Sequence, residues 1–588
     1  MRPLVPSTAA AALLLTALAA PPAARASVPP AKTPVAEGYG GAVATVDADA
    51  TAAGLSALRA GGNAVDAAVA AAAALGVTEP YSAGVGGGGY LLYYEPRTHR
   101  VLTLDGRETA PRAMGPTAFT EDGKPLAFAD AVTSGLSVGV PGTPATWDTA
   151  LRLWGRRSLG QALAPATAIA RQGFVVDQTF ATQTASNAAR FAEFPSTSAL
   201  YLPGGQPPVV GSLQRNPDLA ATYDLLARKG ISAFYTGALA HDVATTAQHP
   251  PVAAGVTGVR PGLMTTADLA AYAVRRQAPT LVRYEGLDVY GIAPSSSGGT
   301  TVGEALNILE RQGVKDLAPT QQLHRYLDAS ALAFADRNRL VGDPAYVRVP
   351  ERRLLSQAWA DKRSCLISPD RALVTPVTSG IAPGGTCGSP VGVASPTGYE
   401  GTSTTHLVTS DRWGGVVSYT LTIEQTGGSG IVVPHRGFLL NNELTDFSFT
   451  DTQGGHDPNL PAPGKRPRSS ISPTIVLRHH RPFLAVGSPG GATIITTVLQ
   501  VLLGRLDQGL TLPQAIAAPR ASQRNTAAAD AEAGFDTAAL EALGHRFAPS
   551  PEIGAAVGLE LEPGGRVLAA AEPVRRGGGA AGVVSTTR

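Results

Sequence analysis

Cysteine is all but missing from this 588-residue chain, where Cys365 and Cys387 are the only two. The ten histidines are scattered, with no H-E-x-x-H motif and no Cys/His ligand spacing, so no metal site is expected. His479 and His480 are adjacent and on a strand would face opposite ways, unable to share an ion. An excess of one charge is missing too: the formal net charge is +2, which favours neither nucleic acid nor an anionic membrane as partner. Past residue 26 no apolar run approaches the ~20 residues that a bilayer span requires. A Walker-type phosphate loop, internal repeats and low-complexity tracts are absent from the same stretch.

What is present suits a globular enzyme. Hydrophobic residues make up 44% and charged ones 16%, and Gly and Pro are plentiful enough to imply many turns. The length allows one large domain or two to four ordinary ones. The first 26 residues read as a signal peptide, with Arg2, an apolar stretch from Ala9 to Ala20 and a small-x-small site at Ala24-Arg25-Ala26. Its apolar stretch is short for a membrane anchor. The mature chain is expected to begin at Ser27 and to be secreted, extracellular or periplasmic. In an oxidising compartment Cys365 and Cys387 would pair as a disulfide closing 22 positions, worth ~3 kcal/mol in the chain-entropy model. No histidine lies near either one in sequence, which disfavours a catalytic cysteine.

Helices are expected at Ala48–Ala60, ended by Gly61-Gly62, and at Ala64–Leu75, capped by Asn63 with Asp66 in its first turn. Tyr90 to Tyr94 reads as a strand. The region from about 143 to 350 reads as mostly helical, with amphipathic stretches near Leu159–Arg171 and His324–Leu340. Residues 364–403, rich in Gly, Pro and Ser, read as a linker or exposed loop. Alternating strands and a helix near Thr493–Leu503 follow, so 403 is the best internal boundary.

Two motifs fail on context. Gly84 to Gly89 fits G-x-G-x-x-G, but a helix precedes it and a strand follows, the reverse of a dinucleotide site. Gly135 to Gly139 fits G-x-S-x-G around Ser137, yet Pro141-Gly142 follow where a nucleophile elbow must enter a helix. The chemistry lies after residue 403. Thr404–Val408 can form a strand, Ser410–Gly415 a turn and Val416–Thr422 the partner strand. Cutting the Ser403–Thr404 bond would free an α-amine beside the Thr404 hydroxyl, and its unperturbed pKa of ~7.7–8.0 suits a general base. Thr420 and Thr422, on one face of the partner strand, could hydrogen-bond to that nucleophile or its amine. Strand propensity alone would also explain these threonines. Gly487-Ser488-Pro489-Gly490-Gly491, between a strand and a helix, lets the amides of Gly490 and Gly491 approach an oxyanion.

Taken with Gly62 to Val69, Gly86–Gly89, Leu104 to Glu108, Val140 to Thr143, Phe234 to Gly237, Pro294 to Gly299, Ala335-Asp336-Arg337, Asn441-Asn442 and Ser469-Ser470, these residues resemble the γ-glutamyltransferase (γ-glutamyltranspeptidase) family of N-terminal nucleophile hydrolases. The matches occur in family order over nearly the whole mature chain. The resemblance implies an α+β fold, a four-layer αββα sandwich made as one chain and autoprocessed between Ser403 and Thr404. A large subunit, 27–403, and a small one, 404–588, would remain associated as a heterodimer. No metal or organic cofactor is implied. Thr404 would attack the γ-carbonyl of a donor such as glutathione, with Gly490 and Gly491 holding the oxyanion. Water or an amino acid or peptide acceptor would resolve the γ-glutamyl enzyme. Arg107 would clamp the donor's α-carboxylate, a bidentate task suited to guanidinium, although a surface ion pair with Asp105 or Glu108 would also account for it. Asp446 and Glu443 would hold the α-ammonium, and Ser469 and Ser470 would add hydrogen bonds to the carboxylate.

The chain departs from the family in places. Thr422 stands where asparagine often follows Tyr-Thr-Leu, and Glu443 where glutamine or glutamate is found. Ser448–Gly464 is short for a lid and lacks an evident aromatic gate, which would admit longer donors or acceptors such as poly-γ-glutamate. Acylases of β-lactam side chains share the scaffold and give the alternative enzyme reading. An inactive exported binding protein on the same fold is the alternative from another class.

Overall fold

The structure is a computed structural model that describes residues 28–380, 401, 403–455 and 457–588. The signal segment and Cys387, with its expected bond to Cys365, lie outside the described residues.

Local sequence fixes the first two helices. In α1 (Ala48–Arg59), the Asp47 carboxylate accepts the Ala50 amide at 2.8 Å, and Gly61 at φ 88° turns the chain just past its end. In α2 (Ala64–Thr78), Asn63 and Asp66 form a reciprocal capping box. All fifteen residues of α2 are buried, which accounts for an Ala/Val composition without a polar face. The other expected helices occur as α3 (Leu159–Gln172), α6 (Pro319–Leu340) and α7 (Thr493–Leu506). Two more helices matter for the layers: α4 (Pro217–Lys229) and α5 (Gly298–Arg311).

Twelve strands carry the site. They are β1 (Val35–Thr45), β2 (Gly88–Glu95), β3 (Arg100–Gly106), β4 (Thr280–Tyr284), β5 (Leu287–Gly291), β6 (Ser403–Asp411), β7 (Val416–Glu424), β8 (Thr474–Arg478), β9 (Arg481–Gly487), β10 (Val557–Leu561), β11 (Val567–Ala571) and β12 (Ala580–Ser585). Their order is β3-β2-β7-β6-β1-β11-β10-β9-β8-β5-β4, with β12 also on β1. The β4–β5 hairpin lies inside the region read from sequence as mostly helical. Short strands flanked by Gly286 are hard to see among long helices.

β1 belongs to both halves of this order. Val35–Gly38 pair with β11, and Gly41–Ala44 pair with β6. Between them Gly40 and Gly41 take φ of 81° and 117°, conformations open to glycine, and the register against β12 shifts there. The strand thus leaves one sheet and enters another, and the sheets face each other. The Ser418 hydroxyl on β7 donates to the Val486 carbonyl on β9 at 3.3 Å across that interface. Alternation along β6 assigns its sides: Leu407 packs with α2, α3 and α4, while Val408 packs with α5, α6 and α7. Helices, sheet, sheet, helices is the expected αββα sandwich. β6 runs in its middle, between β1 and β7, so the expected subunit boundary cuts across one packed unit.

The two discarded motifs stay structural. Ser137 donates to the carbonyls of Val132 and Ser134 at 3.1 and 2.9 Å, and the chain does not enter a helix there, the next one starting only at Thr143. Among the described residues no helix is long and apolar enough to cross a membrane.

Candidate active site

The register of β6 against β7 positions the threonines. Thr404 stands opposite Thr422, and His406 stands opposite Thr420. The Thr404 hydroxyl donates to Thr422 Oγ1 at 3.3 Å, and the Thr422 hydroxyl donates to the Ser403 carbonyl at 3.0 Å. One side chain therefore touches both the expected nucleophile and the carbonyl of the expected cleavage bond. The Glu424 amide donates to Thr422 Oγ1 at 2.8 Å and fixes its rotamer. Thr420 has a different place from the one expected. It bonds His406 Nδ1 at 2.7 Å, because the antiparallel register sets it one pleat, ~7 Å, along from Thr404. His406 is fully buried between the sheets, and that burial pushes its pKa down to about 3, so the ring is neutral.

Ser403 is held from the other side. Its hydroxyl donates to the Tyr81 carbonyl at 2.7 Å and lies 2.9 Å from the Ser82 hydroxyl. The Thr404 carbonyl accepts from Arg576 Nη1 at 2.7 Å. The Ser403–Thr404 peptide bond, where cleavage is expected, is thus fixed at each end.

A narrow recess opens beside Thr404, lined also by Arg107, Gly401, Thr422, Glu424, Glu443, Asp446, Ser469, Ser470 and Gly491. Arg107 is buried at the end of β3, where its amide donates to Asp105 Oδ1 at 3.0 Å. Its guanidinium is paired to Glu443 through Nη1 and to Asp446 through Nη2, with Nε donating to the Pro467 carbonyl at 3.3 Å. The surface pair with Asp105 or Glu108 does not form. Asp105 instead pairs with Arg466 at 2.7 Å. Burial alone would lower the Arg107 pKa, but Glu443 and Asp446 hold it well above its ordinary value.

Acid outnumbers base here. Glu108 lies behind the recess and its carboxyl has no hydrogen-bond partner among the described residues. Burial, then the charge of Glu443, pushes Glu108 well above the carboxylate range. Burial, with Asp446 and Glu443 nearby, does the same to Glu424, whose Oε2 accepts from Asn442. Such a site welcomes one more cation of ammonium size.

Gly490 and Gly491 precede α7, with φ of 134° and 56°. A β-carbon on Gly490 would lie 2.5 Å from Thr493 Oγ1, so glycine is required. Among the described residues neither amide donates a hydrogen bond, while their carbonyls accept from Thr493 and Ile494. Two donors at a helix N-terminus are thus left for a ligand. Ser470 accepts from Arg337 Nη2 at 2.8 Å, and the Ser469 hydroxyl accepts the Ile471 amide at 3.0 Å, which sets both serines on the recess wall.

Sequence reasoning missed Glu424, Glu108 and Arg576. The first was readable, since Thr420, Thr422 and Glu424 alternate onto one face of β7. Arg576, 172 positions from Thr404 and at φ 53°, gave no local signal. The phenyl ring in the expected lid segment, Phe449, stacks on Phe119 at 4.5 Å and serves a side cluster.

Comparison with known proteins agrees with this geometry. The family model described as Gamma-glutamyltranspeptidase matches residues 50–583. The chain is 36% identical over 597 residues to the glutathione hydrolase proenzyme of Bacillus subtilis (strain 168), covering 98% of each. It is 35% identical over 546 residues to the glutathione hydrolase proenzyme of Escherichia coli (strain K12), covering 91% of this chain and 90% of that one. The crystal structure of cephalosporin acylase from Bacillus halodurans superposes with a TM-score of 0.80 at 27% identity, covering 96% of this chain and 98% of that one.

Proposed function

The chain belongs to the gamma-glutamyltranspeptidase family, and we propose that it is a γ-glutamyltransferase and glutathione hydrolase that first cuts itself before Thr404. In maturation the Thr404 hydroxyl attacks the Ser403 carbonyl carbon. The Thr422 hydroxyl orients that nucleophile and stabilises the negative oxygen that develops. The C–N bond breaks as its nitrogen takes the proton, leaving an ester between Ser403 and Thr404. Water hydrolyses the ester, releasing the Ser403 carboxylate and a free Thr404 α-amine.

Loss of that bond lets the upstream segment, represented in the recess by Gly401, withdraw in favour of substrate. The new amine then serves as base for its own hydroxyl. A γ-glutamyl donor brings an α-carboxylate and an α-ammonium. The carboxylate takes the place of an acid on Arg107, with Ser469 and Ser470 beside it, and the ammonium settles between Asp446 and Glu443. Thr404 attacks the γ-carbonyl, whose oxygen receives the amides of Gly490 and Gly491. The amine leaves with the proton, and water or an acceptor amine resolves the ester. Gly490 also borders a second, larger pocket with Arg576, which suits the leaving group and acceptor.

One observation carries this reading: Arg107, clasped by Glu443 and Asp446, shares a recess with Thr404. An acylase of β-lactam side chains is the second reading, favoured by the likeness to the cephalosporin acylase structure. Comparing a γ-glutamyl anilide with a glutaryl anilide, which lacks only the α-ammonium, separates the two. The glutamyl compound is expected to have the higher kcat/KM; preference for glutaryl would transfer the assignment to the acylases. Intact mass and N-terminal sequencing under denaturing conditions should give two chains, the smaller starting Thr-Thr-His-Leu. Thr404→Ala should give one chain with activity at least about a thousandfold lower. A wild-type chain that stays whole while turning over donor would refute the nucleophile.

A further inference from the structure

Far from the recess, two histidines and an aspartate converge where the proposed reaction has no use for them. His324 and Asp328 stand one turn apart on α6, and His545 follows the short helix Ala538–Ala542. His324 Nδ1 lies 2.8 Å from His545 Nε2 and 3.9 Å from Asp328 Oδ2, and the three atoms are all within 4.8 Å of one another. His324 and Asp328 are 0% and 2% exposed, and His545 at 9% borders solvent.

Two independent observations make this more than a packed cluster. Asp328 Oδ2 is buried without a hydrogen-bond partner, although Oδ1 accepts the Leu373 amide at 3.2 Å. A buried carboxylate oxygen left in that state is costly. The second is the tautomer of His324. Its Nε2 lies 2.8 Å from the Ser368 carbonyl, which can only accept, so the proton is on Nε2 and the Nδ1 lone pair faces the cluster. Nδ1 then accepts from His545 Nε2 at 2.8 Å, and moving the His545 proton to its own Nδ1 would leave both near nitrogens as lone pairs, the usual form of imidazole metal ligands.

We propose that His324 Nδ1, Asp328 Oδ2 and His545 Nε2 form a divalent transition-metal site, with zinc as the best match to two imidazoles and a carboxylate. Tetrahedral zinc with bonds near 2.0–2.1 Å sets its ligand atoms roughly 3.3 Å apart. The His–His distance would open and the Asp–His distance close by about half an ångström each, within reach of rotamer adjustment. His545 frees Nε2 by carrying its proton on Nδ1, and water takes the fourth position. Asp328 supplies the negative charge. α6 precedes the junction at 403 and His545 follows it, so the ion would tie together the two products of the proposed cleavage. Only that consequence depends on the cleavage; binding does not.

The probe is Zn²⁺ added to chelator-dialysed protein, followed by calorimetry and thermal denaturation. One ion per chain should bind, with Kd in the micromolar range or tighter and a raised Tm. Asp328→Asn and His545→Gln should each weaken binding at least tenfold. His480→Ala, which removes an exposed imidazole 3.6 Å from Asp288, should not. Co²⁺ in the wild-type protein reads the site without a variant, through the visible absorption of a low-coordinate nitrogen and oxygen site. Absence of stoichiometric Zn²⁺ binding, binding unchanged in both site variants, binding abolished by His480→Ala, or a Co²⁺ spectrum of octahedral aquo character would each overturn the proposal.

Discussion

Two of the buried charge clusters among the described residues differ in one respect. Near the C-terminus Arg520 pairs with Glu572 at 3.0 Å, Arg575 pairs with Glu572 at 2.8 Å, and Arg575 also pairs with Glu532. Two cations meet two anions, and although burial would raise Glu532, Arg575 together with the amides of Ile553 and Arg520 holds it below its ordinary value. At the recess Arg107 meets Glu443 and Asp446, with Glu424 and Glu108 close behind, and those last two are pushed up. A cluster with matched charges is complete in itself and serves architecture. One with unmatched acid beside the proposed nucleophile can take a charge that arrives with a ligand. Burial and ion pairing are common to both, so neither feature alone marks a site.

That contrast is sharpest at Arg107. Arg107→Lys keeps the positive charge but loses the planar fork that reaches two groups at once. Losing about two charge-assisted hydrogen bonds should cost ~3 kcal/mol in the transition state, or about two orders of magnitude in kcat/KM for a γ-glutamyl donor. Cleavage before Thr404 should continue, because no group on the scissile bond touches Arg107. Steady-state kinetics and denaturing electrophoresis check both halves. Unchanged kinetics would mean that the two clusters do the same job.

The matched cluster should answer in stability instead. Arg520→Met leaves Glu572 short of one partner in a buried place and should cost about 3–5 kcal/mol in urea denaturation. Adding Glu572→Met should recover part of that loss, since the second change removes the stranded acid. A double variant no more stable than the single one would show that Arg520 acts through its packing and its bonds to backbone carbonyls.

Much of this was legible in sequence because it is local. Capped helices at 48–59 and 64–78, the strand pair around Thr404 and the glycines before α7 each announce themselves within a few residues. Arg107, Glu443, Asp446, Ser469 and Ser470 came instead from a family resemblance, and the recess brings them together with Thr404. What stayed hidden depends on register or distance. Thr420 was assigned to the nucleophile because it shares a face with Thr422, yet pairing fixes it on His406. The bend of β1 that divides the sheet needs the positions of two partners at once. His324 and Asp328 are spaced like many helical pairs, and the third residue of their cluster is 221 positions away from His324.

The smallest expected effect tests the surplus of acid directly. Glu108 is held well above its ordinary 4.5 by burial and by Glu443, so the folded chain keeps a proton there that the unfolded chain releases above 4.5. Where the folded state binds more protons, stability falls as pH rises. The wild-type chain should therefore lose stability as pH climbs from 4.5 through the folded value of Glu108, and below 4.5 the group contributes no slope. Glu108→Gln removes that titration with little change of shape. Relative to wild type the variant should gain stability with rising pH, and its advantage should shrink toward pH 4.5 and vanish below it. Parallel urea titrations at several pH values measure the difference. A variant whose difference from wild type does not change with pH would place an ionised Glu108 in the folded protein, and the recess would then hold more negative charge than its one guanidinium explains.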